Sequence, residues 1–473
     1  MPLILASNSA SGGYNVANSL RFNFASSDNL SITPASSGNR NTWTLSFWIK
    51  KDINGAFRQI FNTSSTGNSN TTLGQIYFDT SDRIVFYLYT AGAEQANVTT
   101  TQKFRDLSAW YHIVIAYDDT QATASNRVKL YVNGSQVTAF DATNYPSQNF
   151  SGYFNMNQPT FWGKDAQSGG VNFLSGYLSE AYFINAQQLT PSSFGQTDPS
   201  VPSSGIWQPK AYTGSFGTNG FYLKFANSAA LGTDSSGNGN NFTVNNLTSV
   251  DQSTDTCTNN FCTMNPLSNF HNDAAFTDGN NTVDCGGTGS AAITSTIGVS
   301  SGKWYAEFKN ISGTGGGAVF GIESLSYQTG VTDYVGYNLY SWGYFQQDGT
   351  IKNNNSTIAT YSTQGNGDIC GIALDLTNNK IYFSKNGTWQ NSADPSAGTG
   401  GISITAPAST NTGLYLFAGS DDNQYAARTF SSNFGSPPYA ANSYADGAGF
   451  GNFSYAVPSG YYSLCTKNLA NFG

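Results

Sequence analysis

Covalent chemistry at neutral pH needs nucleophiles, bases, acids or metal ligands in groups, and this 473-residue sequence offers few of them. There are two histidines. His112 lies between Tyr111 and Ile113 in an alternating run and reads as a half-buried sheet residue; His271 sits beside Asn272 and Asp273 and reads as a solvated loop residue. A Ser or Cys nucleophile needs a base within hydrogen-bond reach, and neither histidine belongs to such a motif. No Gly-x-x-x-x-Gly-Lys-Ser/Thr loop occurs, and Gly-x-Gly matches are expected by chance from 51 glycines. The five cysteines (Cys257, Cys262, Cys285, Cys370, Cys465) are too few and scattered for a disulfide framework. Cys257-x4-Cys262 makes a poor metal knuckle. Ordinary thiols are the simplest reading, and a stapling pair within 257–285 is the alternative.

A hard cation needs several converging oxygens. Asp118 and Asp119 at a strand end, and Asp234 with Asn238 and Asn240 in a tight loop, are candidate calcium ligands. Acids in turns more often act as turn formers, so calcium is the one cofactor worth testing and no other is expected. Binding chemistry points to aromatic side chains. In YNLYSWGYFQQDG (337–349), Tyr340, Trp342 and Tyr344 surround an expected turn. Aromatic faces stack on sugar rings and anchor interfaces, so these three are the candidate binding residues. The same residues also fit core positions of a strand.

The elements that must position these residues are strands. Charged residues make up 10% of the chain, against about 25% in an average soluble protein, while aromatics reach 14%. Phe, Tyr and Trp recur at strand spacing between Gly, Asn, Ser and Thr turns, an all-β pattern that argues against disorder. The net charge of −8 disfavours nucleic-acid binding, which needs a basic surface. No apolar run approaches the roughly 18 residues of a membrane span. The start, MPLILASNSASGGYN, lacks the basic and apolar regions of a signal peptide.

In the first half, SLRFNF (19–24) and NLSI (29–32) look like an opening hairpin. TLSFWIKK (44–51), AWYHIVIAYDD (109–119) and RVKLYVNG (127–134) alternate with period 2: Leu45, Phe47 and Ile49 face one way and Ser46, Trp48 and Lys50 the other, one of these faces going to a core; Tyr111, Ile113, Ile115 and Tyr117 share a face; and Val128, Leu130 and Val132 point inward. Asn133-Gly134 is a tight hairpin turn. GYLSEAYFIN (176–185) is a further strand, and Thr190-Pro191 opens a turn or single helical turn. The 190–220 stretch reads as a linker or wrapping loop, GFYLKFAN (220–227) as one more strand, and 243–300 is the least legible part. The second half offers GKWYAEFKN (302–310), AVFGIE (318–323), DYVGYNLY (333–340), GYFQQDGTIKN (343–353), GLYLFAGS (413–420) and GYYSLCTKNL (460–469) as strands. Within GDICGIALDLTNNKIYFSKNGTWQ (367–390), two apolar arms flank a turn and end at Asn386-Gly387. Both halves thus repeat one plan, predicting two antiparallel sandwiches in tandem.

The ordered set SLRFNF, TLSFWIKK, AWYHIVIAYDD, RVKLYVNG and GYLSEAYFIN resembles a laminin-G-like (concanavalin A-like) domain over about residues 19–195. GKWYAEFKN, GDICGIALDLTNNKIYFSKNGTWQ and GYYSLCTKNL resemble a SPRY domain over roughly 300–470. The expected organisation is an N-terminal arm (1–18), a laminin-G-like sandwich (19–195), a linker (196–299) whose 220–227 strand completes the first sandwich, and a SPRY-like sandwich (300–473). Both would be concanavalin A-like sandwiches of jelly-roll type. The run DSSGNGNNFTVNNL followed by TNNFCTMNPL (258–267) resembles joined laminin-G/SPRY proteins encoded by phages.

Some concanavalin-type sandwiches are glycoside hydrolases, which need two carboxylates across a cleft. Their Glu-x-Asp-x-Glu triplet is absent, and Glu180 stands alone in SEAYFIN. The resemblance therefore implies a non-enzymatic virion structural protein at the particle surface, a component of a phage tail fibre or capsid appendage. It would contact other virion proteins and itself as a homo-oligomer (a trimer by analogy) and bind host glycans or proteins, without nucleic acid or membrane insertion. A secreted bacterial carbohydrate-binding or adhesin module is the alternative, and a polysaccharide depolymerase a third.

Overall fold

The computed structural model describes residues 13–64, 72–166, 172–199, 205–268, 274–286, 292–313, 317–324, 333–421 and 428–473. The chain divides into two compact units, Ala10–Thr258 and Asn259–Gly473. Each is a β-sandwich paired almost wholly antiparallel, and among the described residues the one α-helix is α1 (Thr466–Phe472). No helix there is long and apolar enough to cross a membrane.

The first unit runs β1 (Ser19–Phe22), β2 (Asn29–Ile32), β3 (Thr42–Lys51), β4 (Arg58–Ser64), β5 (Thr72–Phe78), β6 (Ile84–Thr90), β7 (Ala93–Thr100), β8 (Trp110–Asp118), β9 (Val128–Val132), β10 (Ser135–Gln136), β11 (Phe140–Asn144), β12 (Thr160–Trp162), β13 (Gly176–Asn185), β14 (Gly195–Thr197), β15 (Trp207–Pro209), β16 (Phe221–Leu223), β17 (Thr243–Asn245) and β18 (Gln252–Ser253). One sheet has the order β10-β9-β8-β3-β13-β1-β18, with β16 beside β13; the other is β11-β7-β6-β5-β4-β12-β2-β17. Alternation in β3 sends Trp43, Leu45, Phe47 and Ile49 into the core between the sheets. There Trp43 stacks on Tyr117 (5.0 Å between centroids) and Phe183 (5.7 Å). Burying each such side chain contributes about 1.5–3 kcal/mol.

The other face of the β3 sheet is covered too. Val114, Tyr182, Ile184 and Tyr222 pack with Phe194, and Leu189, Tyr212 and Phe216 lie against them, so the chain after β13 wraps back over its own sheet. Near the end of the unit, Lys50 Nζ meets Asp255 Oδ2 at 2.8 Å, both buried, and Trp110 Nε1–H donates to Asp255 Oδ1 at 3.1 Å. The 196–299 interval contributes strands to both units: β15–β18 to the first, and β19 (Ala275–Thr277), β20 (Thr282–Asp284) and β21 (Ile293–Thr294) to the second. The opening pair differs from a hairpin. β1 pairs with β13 and β18, β2 with β12 and β17. Leu20 and Phe22 thereby reach the common core from one sheet and Leu30 from the other. The crossing turn is held by Asn23 N–H donating to Asp28 Oδ2 at 2.8 Å, with Ser27 at φ +63°.

The second unit continues with β22 (Lys303–Gly313), β23 (Ala318–Glu323), β24 (Ser341–Phe345), β25 (Thr350–Asn353), β26 (Ser356–Thr360), β27 (Ile369–Asp375), β28 (Lys380–Lys385), β29 (Thr388–Trp389), β30 (Ile402–Ser403), β31 (Leu416–Asp421), β32 (Arg428–Asn433) and β33 (Tyr462–Ser463). Its sheets are β19-β20-β32-β22-β27-β28-β29, with β30 and β33 at the side, and β21-β31-β23-β24-β25-β26. Asn133-Gly134 and Asn386-Gly387 both close two-residue hairpins with all four residues at positive φ, as a primed turn requires.

Two expected strands differ. DYVGYNLY (333–340) is a loop laid against Gly343 of β24: a Cβ on Gly343 would sit 2.0 Å from the Val335 carbonyl oxygen. GYYSLCTKNL (460–469) is strand only at Tyr462–Ser463, then becomes α1, because Leu469 and Phe472, three apart, pack on the core from one helix face. Asn468 anchors it, donating Nδ2–H to Asp446 Oδ2 (2.7 Å) and Ser463 O (2.9 Å).

Candidate functional site

The residues capable of chemistry are built into the framework. His112 is buried; Trp207 Nε1–H donates to its Nδ1 (2.9 Å), and its Nε2 lies 2.9 Å from Ser46 Oγ. Because indole is a donor only, Nδ1 is unprotonated and Nε2 carries the hydrogen. The ring stacks on Trp48 at 4.9 Å, and burial pushes its pKa down to about 3. His271 lies outside the described residues. All five cysteines are free thiols, four of them buried. Glu180 sits at a bulge in β13 with φ +49° and accepts from Tyr14 (3.1 Å), Tyr182 (2.5 Å) and Tyr222 (2.6 Å) hydroxyls. Burial raises its pKa against these three donors. A carboxylate so enclosed holds a fold together.

The candidate calcium ligands are surrounded by donors, where a cation would need lone pairs. Asp118 accepts from Thr120 N and Oγ1 and Gln121 Nε2 (3.1, 2.6 and 2.6 Å). Asp119 accepts from Asn41 Nδ2, Tyr117 OH and Ser151 N (2.7, 2.9 and 2.8 Å). Asp234 accepts from the backbone N–H of Tyr222, Ser236 and Asn240 (2.9, 2.8 and 2.9 Å), while Asn238 and Asn240 donate to loop carbonyls. These are turn-forming carboxylates.

The aromatic candidates also take core positions. Trp342 and Tyr344 are buried with Tyr415, Phe417 and Phe383, and Tyr340 packs against that cluster half-buried. The exposed large apolar members of the segment are Tyr337 and Leu339. Because 333–340 is a loop, period 2 starts only at Ser341, and it points Trp342 and Tyr344 inward.

A different set of aromatics lies half-buried on the outer side of the sheet that carries β4–β7, with Gln75 and Asn62 buried between them. Cross-strand partners share a face, and strand registers align one row across all eight strands: Asn144 opposite Asn97, then Tyr87, Gln75, Asn62, Phe161, Ser31 and Thr243. None of the eight is charged. At about 4.8 Å per strand the row is about 33 Å long. Beside it run Gln59, Tyr77, Val85 and Thr99 on one flank, and Ser64, Leu73, Tyr89 and Glu94 on the other. Phe57 stacks on Tyr77 at 4.4 Å and Tyr87 on Tyr89 at 6.1 Å, while Lys164 Nζ lies 5.2 Å over the Phe161 ring. Burial pushes the Tyr77 phenol up to about 12, so it remains a neutral donor. Glu94 fixes one end by accepting from Asn97 and Asn144 amides (3.1 and 2.9 Å). Flat rings between amides and hydroxyls can stack on and hydrogen-bond a hydroxylated ligand. The sequence did carry a signal: Ile84, Phe86 and Leu88 alternate with Val85, Tyr87 and Tyr89, an apolar core side backed by a tyrosine side.

Residues 24–193 match the family profile of the concanavalin A-like lectin/glucanases superfamily (Laminin_G_3), and residues 303–433 match the SPRY domain. The chain thus carries a concanavalin A-like domain and a SPRY domain. Similar solved structures include the SPRY domain of human HERC1 (16% identity, 36% of this chain and 96% of that one, TM-score 0.29). Another is the heptameric SAP-like pentraxin of Limulus polyphemus (15% identity, 42% and 94%, TM-score 0.28). A third is a Bacteroides ovatus protein described as carbohydrate binding (15% identity, 49% and 59%, TM-score 0.30). No curated protein matches the chain.

Proposed function

We propose that this chain is a non-enzymatic binding protein of a phage particle, a tail-fibre or capsid-appendage component that holds host glycans through its first sandwich. The observation that carries the binding reading is the row of aromatic and amide side chains across the outer side of the β4–β7 sheet, bordered by Glu94 and Lys164. The virion role is supported by the phage-like segment 234–267 and by the tandem of two binding-type domains. The chain would assemble with itself and with other virion proteins. It would act without calcium, since donors fill the space around Asp118, Asp119 and Asp234. Gold-labelled antibodies against the chain are expected to decorate intact virions, and purified chain to coat host cells in a way that soluble host polysaccharide competes away in EDTA. Label confined to infected-cell cytosol would refute the appendage role, and release by EDTA would refute the metal-free mode.

A further inference from the structure

We propose that Lys50 and Asp255 condense into an intramolecular isopeptide bond, a covalent strap that fastens the end of the first unit to β3. The proposal is independent of what the outer sheet face binds.

The two side chains are placed as reactants must be. Lys50 Nζ lies 2.8 Å from Asp255 Oδ2, and the side chains are 2% and 0% exposed. Both are fixed by the fold. Lys50 is in register with Trp110 on β8 and Tyr177 on β13, and its Nζ sits 5.5 Å from the Tyr177 ring centre. The Asp255 backbone is held twice: Ser19 Oγ donates to its carbonyl at 2.6 Å, and its N–H donates to Ser253 Oγ at 3.1 Å. Holding a nucleophile against its target removes much of the entropic barrier to reaction. Away from water, one proton transfer within such a pair turns two buried charges into two neutral groups. Those groups, an amine and a carboxylic acid, are the forms that react.

Two further groups serve the reaction. Trp110 Nε1–H donates to Asp255 Oδ1 at 3.1 Å, so a donor already stands where negative charge develops when the amine adds. Asp52 follows Lys50 by two residues and is 4% exposed. Its Oδ2 accepts from Ser175 Oγ at 2.6 Å, its Oδ1 is buried without a partner, and burial raises the carboxyl to about 6. Charge on both Asp255 and Asp52 acts on the one Tyr177 phenol, which sets the second carboxyl near the pair. Such a carboxyl can take a proton from nitrogen and return one to oxygen.

The step balances without an outside reagent. Lys50 Nζ attacks Asp255 Cγ, the C–N bond forms, and Oδ1 carries the charge toward the Trp110 N–H. Asp52 takes a proton from nitrogen and gives one to Oδ2; the Cγ–Oδ2 bond breaks and water leaves. No atom changes oxidation state. The other buried pair, Lys51 and Asp82, stays ionic. Lys51 Nζ donates to Asp82 Oδ1, Phe104 O and Asn54 Oδ1 (2.8, 2.9 and 3.3 Å), and Arg105 adds a second cation at Asp82. The chain should therefore lose one water and not two. The bond closes residues 50–255 into one loop and anchors the chain just before the first unit ends at Thr258. A cross-link across so long a loop strongly restricts the unfolded chain.

The test is intact-mass spectrometry of the denatured full chain, followed by proteolysis to find the Lys50 and Asp255 peptides joined. Wild type should weigh one water less than its sequence. Asp255→Asn should have the same mass as wild type, because asparagine loses ammonia to form the same amide. Lys50→Arg and Asp52→Ala should show their full sequence masses. Wild type at full sequence mass overturns the bond, and that result needs no variant to fold. Water loss that persists in Lys50→Arg places it elsewhere, such as an imide at Asp278-Gly279, and overturns the bond equally. Undiminished condensation in Asp52→Ala overturns the proton relay.

Discussion

The sharpest consequence of the first sandwich concerns His112. An unfolded histidine takes up a proton below about pH 6.5; folded, burial holds His112 neutral down to about 3. As pH falls, the unfolded state therefore binds the proton first, so stability present above pH ~6.5 is lost progressively toward pH ~3. At about 1.36 kcal/mol per pKa unit, the loss between pH 7 and pH 4 is about 3 kcal/mol. The loss is structural: protonating Nδ1 would set an N–H against the Trp207 Nε1–H that now donates to it. His112→Gln keeps a donor and an acceptor but cannot titrate. Urea unfolding followed by tryptophan fluorescence, at pH 7 and pH 4, should show wild type losing about 3 kcal/mol more than the variant. The same unit also holds Asp52, whose carboxyl burial raises to about 6. Asp52 acts with the opposite sign but is common to both proteins and cancels. Parallel pH profiles for wild type and His112→Gln would refute the reasoning.

In the second sandwich the sign reverses at Glu323, which burial, reinforced by Asp333, raises to about 8. Stability present below about pH 4.3 is lost as pH rises through 8, so Glu323→Gln should gain about 3 kcal/mol on wild type between pH 5 and pH 8 in the same assay. Gly134 stands at φ +82° with a would-be Cβ 2.5 Å from the Trp207 ring. Gly134→Ala should cost about 1–3 kcal/mol, seen as a lower Tm; an unchanged Tm would mean the ring is not clamped there. Lys50→Met leaves Asp255 buried without its ammonium partner and should destabilise by about 3–5 kcal/mol in urea.

Much of the framework is legible without coordinates because it is local. Period 2 in 44–51 and 109–119 sorts the residues of β3 and β8 onto two opposite sides, and Asn133-Gly134 and Asn386-Gly387 each mark a hairpin, since few other residues tolerate two successive positive φ values. The same local rule misplaces Tyr340, Trp342 and Tyr344. Alternation shows that successive residues point opposite ways but not which way is out, and a loop at 333–340 resets the phase.

Other features depend on pairing between distant segments. Period alone cannot show that the outer side of β3 is covered, because its cover comes from Leu189, Phe194 and Tyr212 folding back. The row from Asn144 through Tyr87 and Asn62 to Thr243 is scattered along the chain and becomes one surface only through strand order and register. The types of those residues, neutral amides, hydroxyls and rings, were written in the sequence. Their alignment is a property of the sheet, because each pairing register is set by core packing between strands far apart in the chain.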